Sequence, residues 1–327
     1  MSRIIITGGN GFIGSHLVKR LLSECAGSVV LISNTQNAND IKLKEKKLQD
    51  NFQLTFYNAD IRDSKAISEI FRNERADICI HLAAKIGVAD SIKNPQETME
   101  INVDGTQNVL DACYKSDIKN FLFASSAAVY GDVKELPIKE TSLLDPQSPY
   151  GKSKLEAERI IQSYQASEKI QNAIIFRFFN VYGKGQHSET DVVTKFASRL
   201  SKSQAPVIYG KGDQTRDFIS LDDVIEAMSL SIEAVRKWDS SKGLIPLKII
   251  NIGTGSPTSI NEIAQKMILI SGLDLAPIHV EETEENKGIM HSYADISKAK
   301  KLINFVPQKR IDEGLREVLD PLLRTHR

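Results

Sequence analysis

Tyr150 and Lys154 are the residues of this 327-residue chain whose types and spacing most directly suggest chemistry. They lie four positions apart in a helix predicted over Pro149–Ser167, and an i, i+4 pair shares one helix face. The ammonium should therefore lie beside the phenol. A free phenol has a pKa of about 10, and a neighbouring cation lowers it. The pair predicts a general base for a substrate alcohol; a surface tyrosine beside a solvated lysine is the alternative.

Two serines follow a predicted strand that precedes this helix. Ser125 and Ser126 stand at its carboxyl end, in the segment Ala124–Gly131. Ligands of open α/β sheets bind at the carboxyl ends of the strands. Ser126 is therefore expected to hydrogen-bond the reacting oxygen beside Tyr150. Ser125 is either a turn or capping residue or a further contact to the ligand.

A glycine-rich loop opens the chain. The segment Thr7–Gly14 follows the strand Ile4–Thr7 and begins a predicted helix over Phe12–Glu24. Its glycines fit both a G-x-G-x-x-G spacing and a three-residue spacing. Glycine allows a tight turn and a close approach of backbone to a pyrophosphate, and a helix N-terminus attracts the anion. In this strand–loop–helix context the motif predicts a bound dinucleotide.

The position that selects between NAD and NADP is neutral. An acidic residue about 20 positions after the loop binds the adenosine ribose of NAD, but Ser33 and Asn34 stand there, and Asp40 is the nearest acid. Serine and asparagine can hydrogen-bond either a hydroxyl or a phosphate. Lys42 and Lys44 could support a 2′-phosphate or form a solvated face. The sequence therefore predicts NAD with NADP left open.

These motifs require a scaffold of alternating strands and helices. About six β–α repeats run to Phe178, and apolar strands linked by helices predict a Rossmann-type doubly wound parallel sheet. After Asn180 the pattern changes to a smaller, interleaved lobe, and Ile249–Ile252 is expected to rejoin the sheet at one edge. The predicted domains are residues 1–180 plus about 217–253 for the dinucleotide, and 181–216 plus 254–327 for the substrate.

Composition narrows the class of protein. Lys and Arg balance Asp and Glu at 42 each, which gives no electrostatic case for nucleic acid or a membrane surface. The chain enters a strand at Arg3 without a signal peptide, so we expect a cytoplasmic protein. Cys25, Cys79 and Cys113 lack metal-ligand spacing, which predicts a reducing compartment. Cys79 and Cys113 lie in apolar patterns and are expected to be buried. No metal site is predicted.

At this point the sequence resembles a known family, the extended short-chain dehydrogenase/reductases. Within it, the chain resembles the NAD-dependent epimerase/dehydratase group that acts on nucleotide sugars, including UDP-glucose 4-epimerases. The resemblance extends from Thr7 to about Val306. Beyond the glycine loop, it rests on Ala59–Asp63, His81–Ala84, Asn102–Thr106, Ser125–Gly131, Tyr150–Lys154, Arg177–Gly183, Gln214–Phe218 and Tyr293–Ile296.

The resemblance implies a role for each matched residue. It implies that Ser126, Tyr150 and Lys154 are catalytic and that the helices from Thr98 and from Pro149 form a four-helix bundle in a homodimer. The implied cofactor contacts are Gly8, Gly11, Phe12, Ile13, Gly14, Ser33, Asn34, Asp60, Ile61, Leu82, Ala83, Ala84, Lys85, Asn102, Ser125, Tyr150, Lys154 and Phe178. The implied substrate contacts are Lys85, Ser126, Tyr150, Asn180, Val207, Tyr209, Arg216 and Ser292, with Asn180 and Arg216 on the diphosphate and Val207 and Tyr209 beside the base.

The residues after Ser126 favour one reaction of that family. Relatives that dehydrate or decarboxylate the sugar carry acidic residues where this chain has Ala127 and Ala128, and elimination needs an acid and a base there. Methyl groups cannot transfer protons, so the chain is similar to the 4-epimerases. A reductase or dehydrogenase of a nucleotide sugar and a non-catalytic dinucleotide-binding protein are the alternatives.

Two departures from the family concern the substrate. Many relatives carry R-x-G-D before the Tyr-Ala-Asp segment, and Glu285, Asn286, Lys287 and Gly288 occupy those positions. A glutamate facing phosphate is repulsive, which leaves the nucleotide carrier open, with UDP as the expectation. Ser292 stands where hexose-specific epimerases have a tyrosine. The small side chain predicts space for an N-acetyl group, so the substrate class includes UDP-hexoses, UDP-N-acetylhexosamines and uronates.

Overall fold

The computed structural model describes residues 3–24, 27–34, 53–186, 191–237, 247–282 and 288–325. Its strands are β1 (Arg3–Thr7), β2 (Ser28–Ser33), β3 (Gln53–Asn58), β4 (Ile78–His81), β5 (Asn120–Ser126), β6 (Asn172–Phe178), β7 (Asn180–Tyr182), β8 (Val207–Tyr209), β9 (Thr215–Arg216), β10 (Phe218–Ser220), β11 (Lys248–Ile252), β12 (Thr258–Ser259), β13 (Ile278–Val280) and β14 (His291–Ser292). Its α-helices are α1 (Phe12–Ser23), α2 (Ser64–Glu74), α3 (Val88–Lys93), α4 (Pro95–Met99), α5 (Gly105–Lys115), α6 (Pro149–Ala166), α7 (Val192–Ser201), α8 (Leu221–Lys237), α9 (Ile260–Ser271), α10 (Ser297–Ile303) and α11 (Ile311–Thr325).

The predicted doubly wound sheet is confirmed. Among the described residues it has seven strands in the order β11-β6-β5-β4-β1-β2-β3, and the pairs β1–β2, β2–β3, β1–β4 and β4–β5 are parallel. The strand that was predicted to rejoin the sheet at one edge, Ile249–Ile252, corresponds to β11 at one end of this order. The strand order reverses between β1 and β4, and ligands of such sheets bind outside the carboxyl ends of the strands at this reversal.

The chain divides into two compact units. Unit 1 comprises Met1–Val129, Pro146–Arg177 and Ile225–Ile250, and unit 2 comprises Tyr130–Asp145, Phe178–Val224 and Asn251–Arg327. This division departs from the predicted boundaries at residues 130–145 and 217–224. The backbone N–H of Ile138 donates to Tyr293 over 2.9 Å, and β10 pairs with β7. These long-range hydrogen bonds assign both segments to unit 2.

Each unit has its own core. In unit 1, Cys79, Val109 and Cys113 pack with other apolar side chains from the sheet and its helices, as predicted for both cysteines. In unit 2, Phe196 from α7 and Met267 from α9 lie in a separate cluster with residues of α11. Full burial of such a side chain contributes about 1.5–3 kcal/mol, which stabilises the strand ends that carry the candidate site.

The helix predicted over Thr98–Tyr114 is interrupted. Helix α4 ends at Met99, a single π-helical turn covers Glu100–Asp104, and α5 begins at Gly105. Insertions of this kind are frequent at functional sites. This turn presents the side chain of Asn102, which is 2 % exposed, to the interior of unit 1.

No helix among the described residues has the length and apolar character that crossing a lipid bilayer requires.

Candidate active site

The glycine loop has the shape that a pyrophosphate needs. Gly8 has a φ of +69°, and a Cβ on Gly8 would lie 2.6 Å from the backbone nitrogen of Ala83. A Cβ on Gly14 would lie 2.4 Å from the carbonyl oxygen of Gly8. Helix α1 begins after Gly11 without a side-chain cap, so its first N–H groups are available to an anion. The loop therefore fits a dinucleotide, and any side chain at Gly8 or Gly14 would fill the space.

The ends of β2 and β3 carry the predicted adenosine contacts. Ser33 is 8 % exposed at the end of β2. Asp60 is hydrogen-bonded to Asn34, and its carboxylate accepts from the backbone N–H of Arg62 over 2.9 Å. The bond to the Arg62 side chain is the largest cause that lowers the pKa of Asp60. This loop therefore presents an ionised carboxylate and an amide. Asp40, Lys42 and Lys44 lie outside the described residues.

A buried histidine holds the end of β4. His81 is 1 % exposed, and its ring nitrogens lie 2.6 Å from the hydroxyl of Thr7 and 3.0 Å from that of Thr106. Burial lowers the pKa of His81 to about 3, and the positive charge of Lys154 acts in the same direction. His81 is therefore a neutral core residue, and it links β1, β4 and α5.

Asn102 fixes the segment after β4. Its side-chain oxygen accepts from the backbone N–H of Lys85 over 2.8 Å, and its amide nitrogen donates to the Lys85 carbonyl over 3.0 Å and to Ser153 over 2.9 Å. The Lys85 ammonium pairs with Glu97. Asn102 thus joins the predicted cofactor segment 82–85 to helix α6, and Glu97 is a partner that the sequence analysis missed.

The predicted catalytic residues converge at the end of β5. The Tyr150 phenol is hydrogen-bonded to Ser126, whose hydroxyl also accepts the Ala128 N–H over 3.1 Å. Helix α6 is capped by Ser148, whose side chain accepts the Gly151 N–H over 3.0 Å. This cap sets the first turn of the helix and hence the position of Tyr150. The structure therefore brings Ser126 and Tyr150 together.

The prediction of a lowered phenol pKa is wrong for this arrangement. Burial raises the pKa of Tyr150, and the bond from Ser126 only partly opposes that increase. The ammonium of Lys154 donates to the carbonyl oxygen of Ala124 over 2.8 Å and lies 4.9 Å from the centre of the Phe123 ring. The reason is that Lys154 binds the backbone of β5, whereas the sequence analysis expected its ammonium to lie beside the Tyr150 phenol.

The pKa of Lys154 is also shifted from its ordinary value. It is 3 % exposed, and burial lowers its pKa to about 7, while the carboxylate of Glu158 raises the value. A buried amine loses hydration of its charged form, so the neutral form becomes competitive near neutral pH. The protonation state of Lys154 is therefore sensitive to the few charges around it.

A buried ion pair lies behind Lys154 and was missed by the sequence analysis. Glu158 and Arg177 are 0 % and 1 % exposed, and their side chains meet at 2.6 Å and 3.0 Å. Ser125 is 3 % exposed, and its hydroxyl donates to the same carboxylate. The signal in the sequence was a glutamate one turn after Lys154 and an arginine inside an apolar strand, both of which require partners when buried.

Unit 2 contains the predicted substrate residues other than Lys85, Ser126 and Tyr150. The fully buried carboxylate of Asp217 accepts from the backbone N–H groups of Thr254 at 2.7 Å, Gly255 at 2.9 Å and Ala294 at 3.1 Å. These bonds fix the neighbouring Arg216, for which the described residues provide no carboxylate partner. Burial lowers the pKa of Arg216. This side chain is therefore suited to an anionic ligand.

The other predicted residues of unit 2 lie on short strands or beside them. Asn180 is exposed on β7, Val207 and Tyr209 are at the ends of β8, and Ser292 is 8 % exposed on β14. Phe178 is the last residue of β6 and is 6 % exposed. Of the departures from R-x-G-D, Glu285 to Lys287 lie outside the described residues, and a Cβ on Gly288 would lie 3.4 Å from a guanidinium nitrogen of Arg216.

Within the residues that the structure describes, no group of three or more His, Cys, Asp and Glu side chains could hold a metal ion.

Comparison with known proteins identifies the family. The model of the NAD dependent epimerase/dehydratase family matches residues 4–253. A Methanocaldococcus jannaschii protein, provisionally named UDP-glucose 4-epimerase, is 37% identical over 322 residues and 97% of each chain. Two solved structures each align over nearly the whole of both chains. One is the UDP-N-acetylglucosamine 4-epimerase of Methanobrevibacter ruminantium in complex with UDP-N-acetylmuramic acid, at 30% identity, TM-score 0.86 and 99% of each chain. The other is the UDP-glucose 4-epimerase of Thermus thermophilus with NAD, at 29% identity, TM-score 0.82 and 98% of each chain.

The glycine loop, the Ser126–Tyr150 pair and these matches agree with one another. The chain belongs to the NAD-dependent epimerase/dehydratase family.

Proposed function

We propose that this protein is an NAD-dependent nucleotide-sugar 4-epimerase. The observation that carries the proposal is the hydrogen bond between Tyr150 and Ser126, with Lys154 on the same helix face, at the end of β5. Strands β1, β4 and β5 are parallel neighbours, so this end of β5 shares a sheet edge with the glycine loop. A general base and a dinucleotide-binding loop at the same end of the parallel strands are the groups that the oxidation of an alcohol needs.

The relatives agree with the epimerase prediction made from the sequence. The aligned proteins named above are 4-epimerases of UDP-sugars, and one of the aligned structures contains NAD. The turn after Ser126 supports the same reaction from this chain's own residues. Ala127 and Ala128 form a 3₁₀ turn there, and their methyl groups offer no acid or base for an elimination.

The cofactor is held by the residues that open the chain. The backbone of Gly8 to Gly14 binds the pyrophosphate at the start of α1. The ends of β2 and β3, with Ser33, Asn34 and Asp60, bind the adenosine. Residues 82–85, Ser125 and Phe178 contact the remaining part. A dinucleotide held there would supply reversible hydride transfer for the sugar carbon.

Tyr150 and Ser126 act on the sugar hydroxyl. Tyr150 takes the proton of the 4-hydroxyl when carbon 4 is oxidised and returns it when the carbon is reduced, so one base serves both directions. Ser126 donates a hydrogen bond that stabilises the reacting oxygen. Lys154 lies one helical turn from Tyr150 but donates to Ala124, so we propose that its positive charge favours the phenolate across the buried site without direct contact. The 4-keto sugar presents its other face before reduction, and no net redox change occurs.

Unit 2 supplies the contacts to the rest of the substrate. Arg216 and Asn180 bind the diphosphate, because Arg216 is a partly buried cation without an acidic partner among the described residues. Val207 and Tyr209 lie beside the base, and the exposed ring of Tyr209 suits stacking. The small Ser292 leaves space for an N-acetyl group. The expected carrier is UDP.

We propose the assembly from the resemblance to the family and the compartment from the described cysteines. Helices α4, α5 and α6 are the elements that we propose to form a four-helix bundle between two copies of the chain. The free, buried thiols of Cys79 and Cys113 suit a reducing compartment, and we propose the cytoplasm.

A substrate panel tests the proposed function. Purified enzyme is incubated with UDP-hexoses, UDP-N-acetylhexosamines and UDP-uronic acids, and the configuration at carbon 4 is determined by NMR. We expect inversion at carbon 4 without net formation of NADH. Stoichiometric NADH with an oxidised sugar would instead identify a dehydrogenase. The absence of any turnover in cofactor-loaded enzyme would support a protein that only binds the dinucleotide.

The size of residue 292 has its own test. Ser292→Tyr should decrease kcat/KM for the N-acetylated substrate while activity on the plain hexose is kept, because a phenol fills the proposed space. The control is Ser256→Tyr, because Ser256 is exposed. Ser259 is unsuitable for this purpose because its side chain caps α9. Equal activity of Ser292→Tyr on both substrates would contradict the assignment.

A further inference from the structure

Lys154 needs a negative charge to remain an ammonium in its buried position. Its nitrogen has one hydrogen-bond acceptor, the carbonyl oxygen of Ala124 at 2.8 Å, and lies over the Phe123 ring. Both groups are neutral. Removing an ammonium from water costs several kcal/mol, and a carbonyl with an aromatic face recovers only part of this cost. A nearby carboxylate would recover more.

The charged and titratable groups around Lys154 come from three elements. Helix α6 contributes Tyr150 and Glu158, β6 contributes Arg177, and β4 contributes His81. The pKa of His81 is lowered to about 3, which leaves it neutral, and Tyr150 is a neutral phenol at rest because burial raises its pKa. Among these groups only Glu158 is negative, and Arg177 is positive.

The carboxylate of Glu158 is held in place by hydrogen bonds from two other residues. It is completely buried one helical turn after Lys154, it accepts two hydrogen bonds from Arg177, and it accepts the Ser125 hydroxyl from β5. Replacing a buried ion pair with apolar residues is often neutral or stabilising. Stability alone therefore does not require this pair.

We propose that Glu158 is a positioning residue that keeps Lys154 positively charged during the reaction. It touches neither the reacting atoms nor the cofactor and acts only through Lys154. Arg177 and Ser125 fix the carboxylate so that it cannot turn away. This inference rests on the proposed function, in which Tyr150 is the base and the charge of Lys154 favours its phenolate.

Two variants that break the same ion pair have opposite effects under this proposal. Glu158→Gln removes the negative charge one helical turn from Lys154 and keeps Arg177, so the pKa of Lys154 should fall by about one unit or more, a tenfold change in the ratio of amine to ammonium. Arg177→Met removes the positive charge and leaves Glu158, so the pKa of Lys154 should be unchanged or higher. Both variants should lose thermal stability, because each leaves one buried charge without its partner.

The experiment measures the pKa of Lys154 directly in cofactor-loaded enzyme. Lysine labelled with ¹³C at Cε is titrated by NMR, and the resonance is assigned by its absence in Lys154→Met. The matched control is Glu156→Gln, which removes the same charge two residues earlier from a surface pair with Arg159 and should not alter the titration. The pH profile of kcat is the second readout, and its alkaline limb should move to lower pH in Glu158→Gln alone.

The double variant Glu158→Gln/Arg177→Met separates positioning from structure. It removes both members of the Glu158–Arg177 ion pair together, so it should recover much of the thermal stability, yet the pKa of Lys154 should stay below that of the wild type. Equal Lys154 pKa values in the wild type, Glu158→Gln and the double variant would overturn the proposal. This titration needs no turnover. It therefore tests the effect of Glu158 on Lys154 even if the substrate panel shows that the protein is not an epimerase.

Discussion

A Cβ atom on Gly14 would lie 2.4 Å from the carbonyl oxygen of Gly8. Gly8 lies in the loop between β1 and α1 and Gly14 lies in the first turn of α1, so the loop packs on the helix only while position 14 has no side chain. The contact is with backbone, which cannot rotate away as a flexible side chain can. This relationship makes Gly14 the sharpest test of the cofactor site.

Gly14→Ala should weaken NAD binding by about 10- to 100-fold, the effect expected when overpacking costs about 1–3 kcal/mol. The Kd is measured by calorimetry or by nicotinamide fluorescence. Gly272→Ala is the control for backbone strain alone, because Gly272 has a φ of +69° but a Cβ there meets no atom within 4 Å, so it should leave NAD affinity unchanged. Unchanged NAD affinity in Gly14→Ala would argue against the loop as the pyrophosphate site.

Tyr150→Phe should abolish epimerisation while NAD stays bound. Removing a general base costs roughly 10²- to 10⁴-fold in kcat, and the phenyl ring preserves the packing of the helix start. Turnover is followed by NMR and bound NAD by release on denaturation. Tyr114→Phe, at a half-exposed position on α5, is the control. Full activity of Tyr150→Phe would refute the mechanism.

Ser126→Ala should reduce kcat about 10- to 100-fold, as for loss of a hydrogen bond to a charged group. The Ser126 bond opposes the effect of burial on the Tyr150 pKa, so that pKa should rise further and the acidic limb of the pH profile of kcat should move to higher pH. Ser163→Ala on the exposed face of α6 is the control. A lower kcat without a shifted pH profile would limit Ser126 to binding the substrate.

His81 should make the protein sensitive to acid. Its folded pKa of about 3 lies below the ordinary histidine value of 6.5, so the unfolded state binds the additional proton between these values. The contribution of His81 to stability is complete above about pH 6.5 and decreases by about 1.4 kcal/mol per pH unit below it.

His81→Gln should remove this part of the pH dependence while still offering hydrogen-bond groups to Thr7 and Thr106. Urea unfolding from pH 7 to pH 4 measures the free energy of unfolding at each step. His279→Gln, on the exposed strand β13, should behave as the wild type does. If the free energy of unfolding of His81→Gln decreases with falling pH as steeply as that of the wild type, His81 is protonated in the folded protein.

The repeated β–α pattern was sufficient to predict the sheet, the glycine loop and most helices of the first half. These elements depend on local periodicity and on glycines at a strand–helix junction, which are properties of short segments. The π-helical turn at Glu100–Asp104 and the assignment of residues 130–145 to unit 2 could not be predicted. Both depend on hydrogen bonds to residues distant in the chain, such as those from Asn102 to Lys85 and from Ile138 to Tyr293.

The same distinction applies to the candidate site. The spacing of Tyr150 and Lys154 and the serine at the end of β5 identified the reacting groups, because these residue types are encoded directly. Their pKa values and partners were decided by tertiary structure. Burial raises the Tyr150 pKa, Lys154 turns to Ala124, and Glu158 meets Arg177 only because helix α6 packs beside β6. A pKa depends on the groups and solvent around an atom, and only the folded chain determines these.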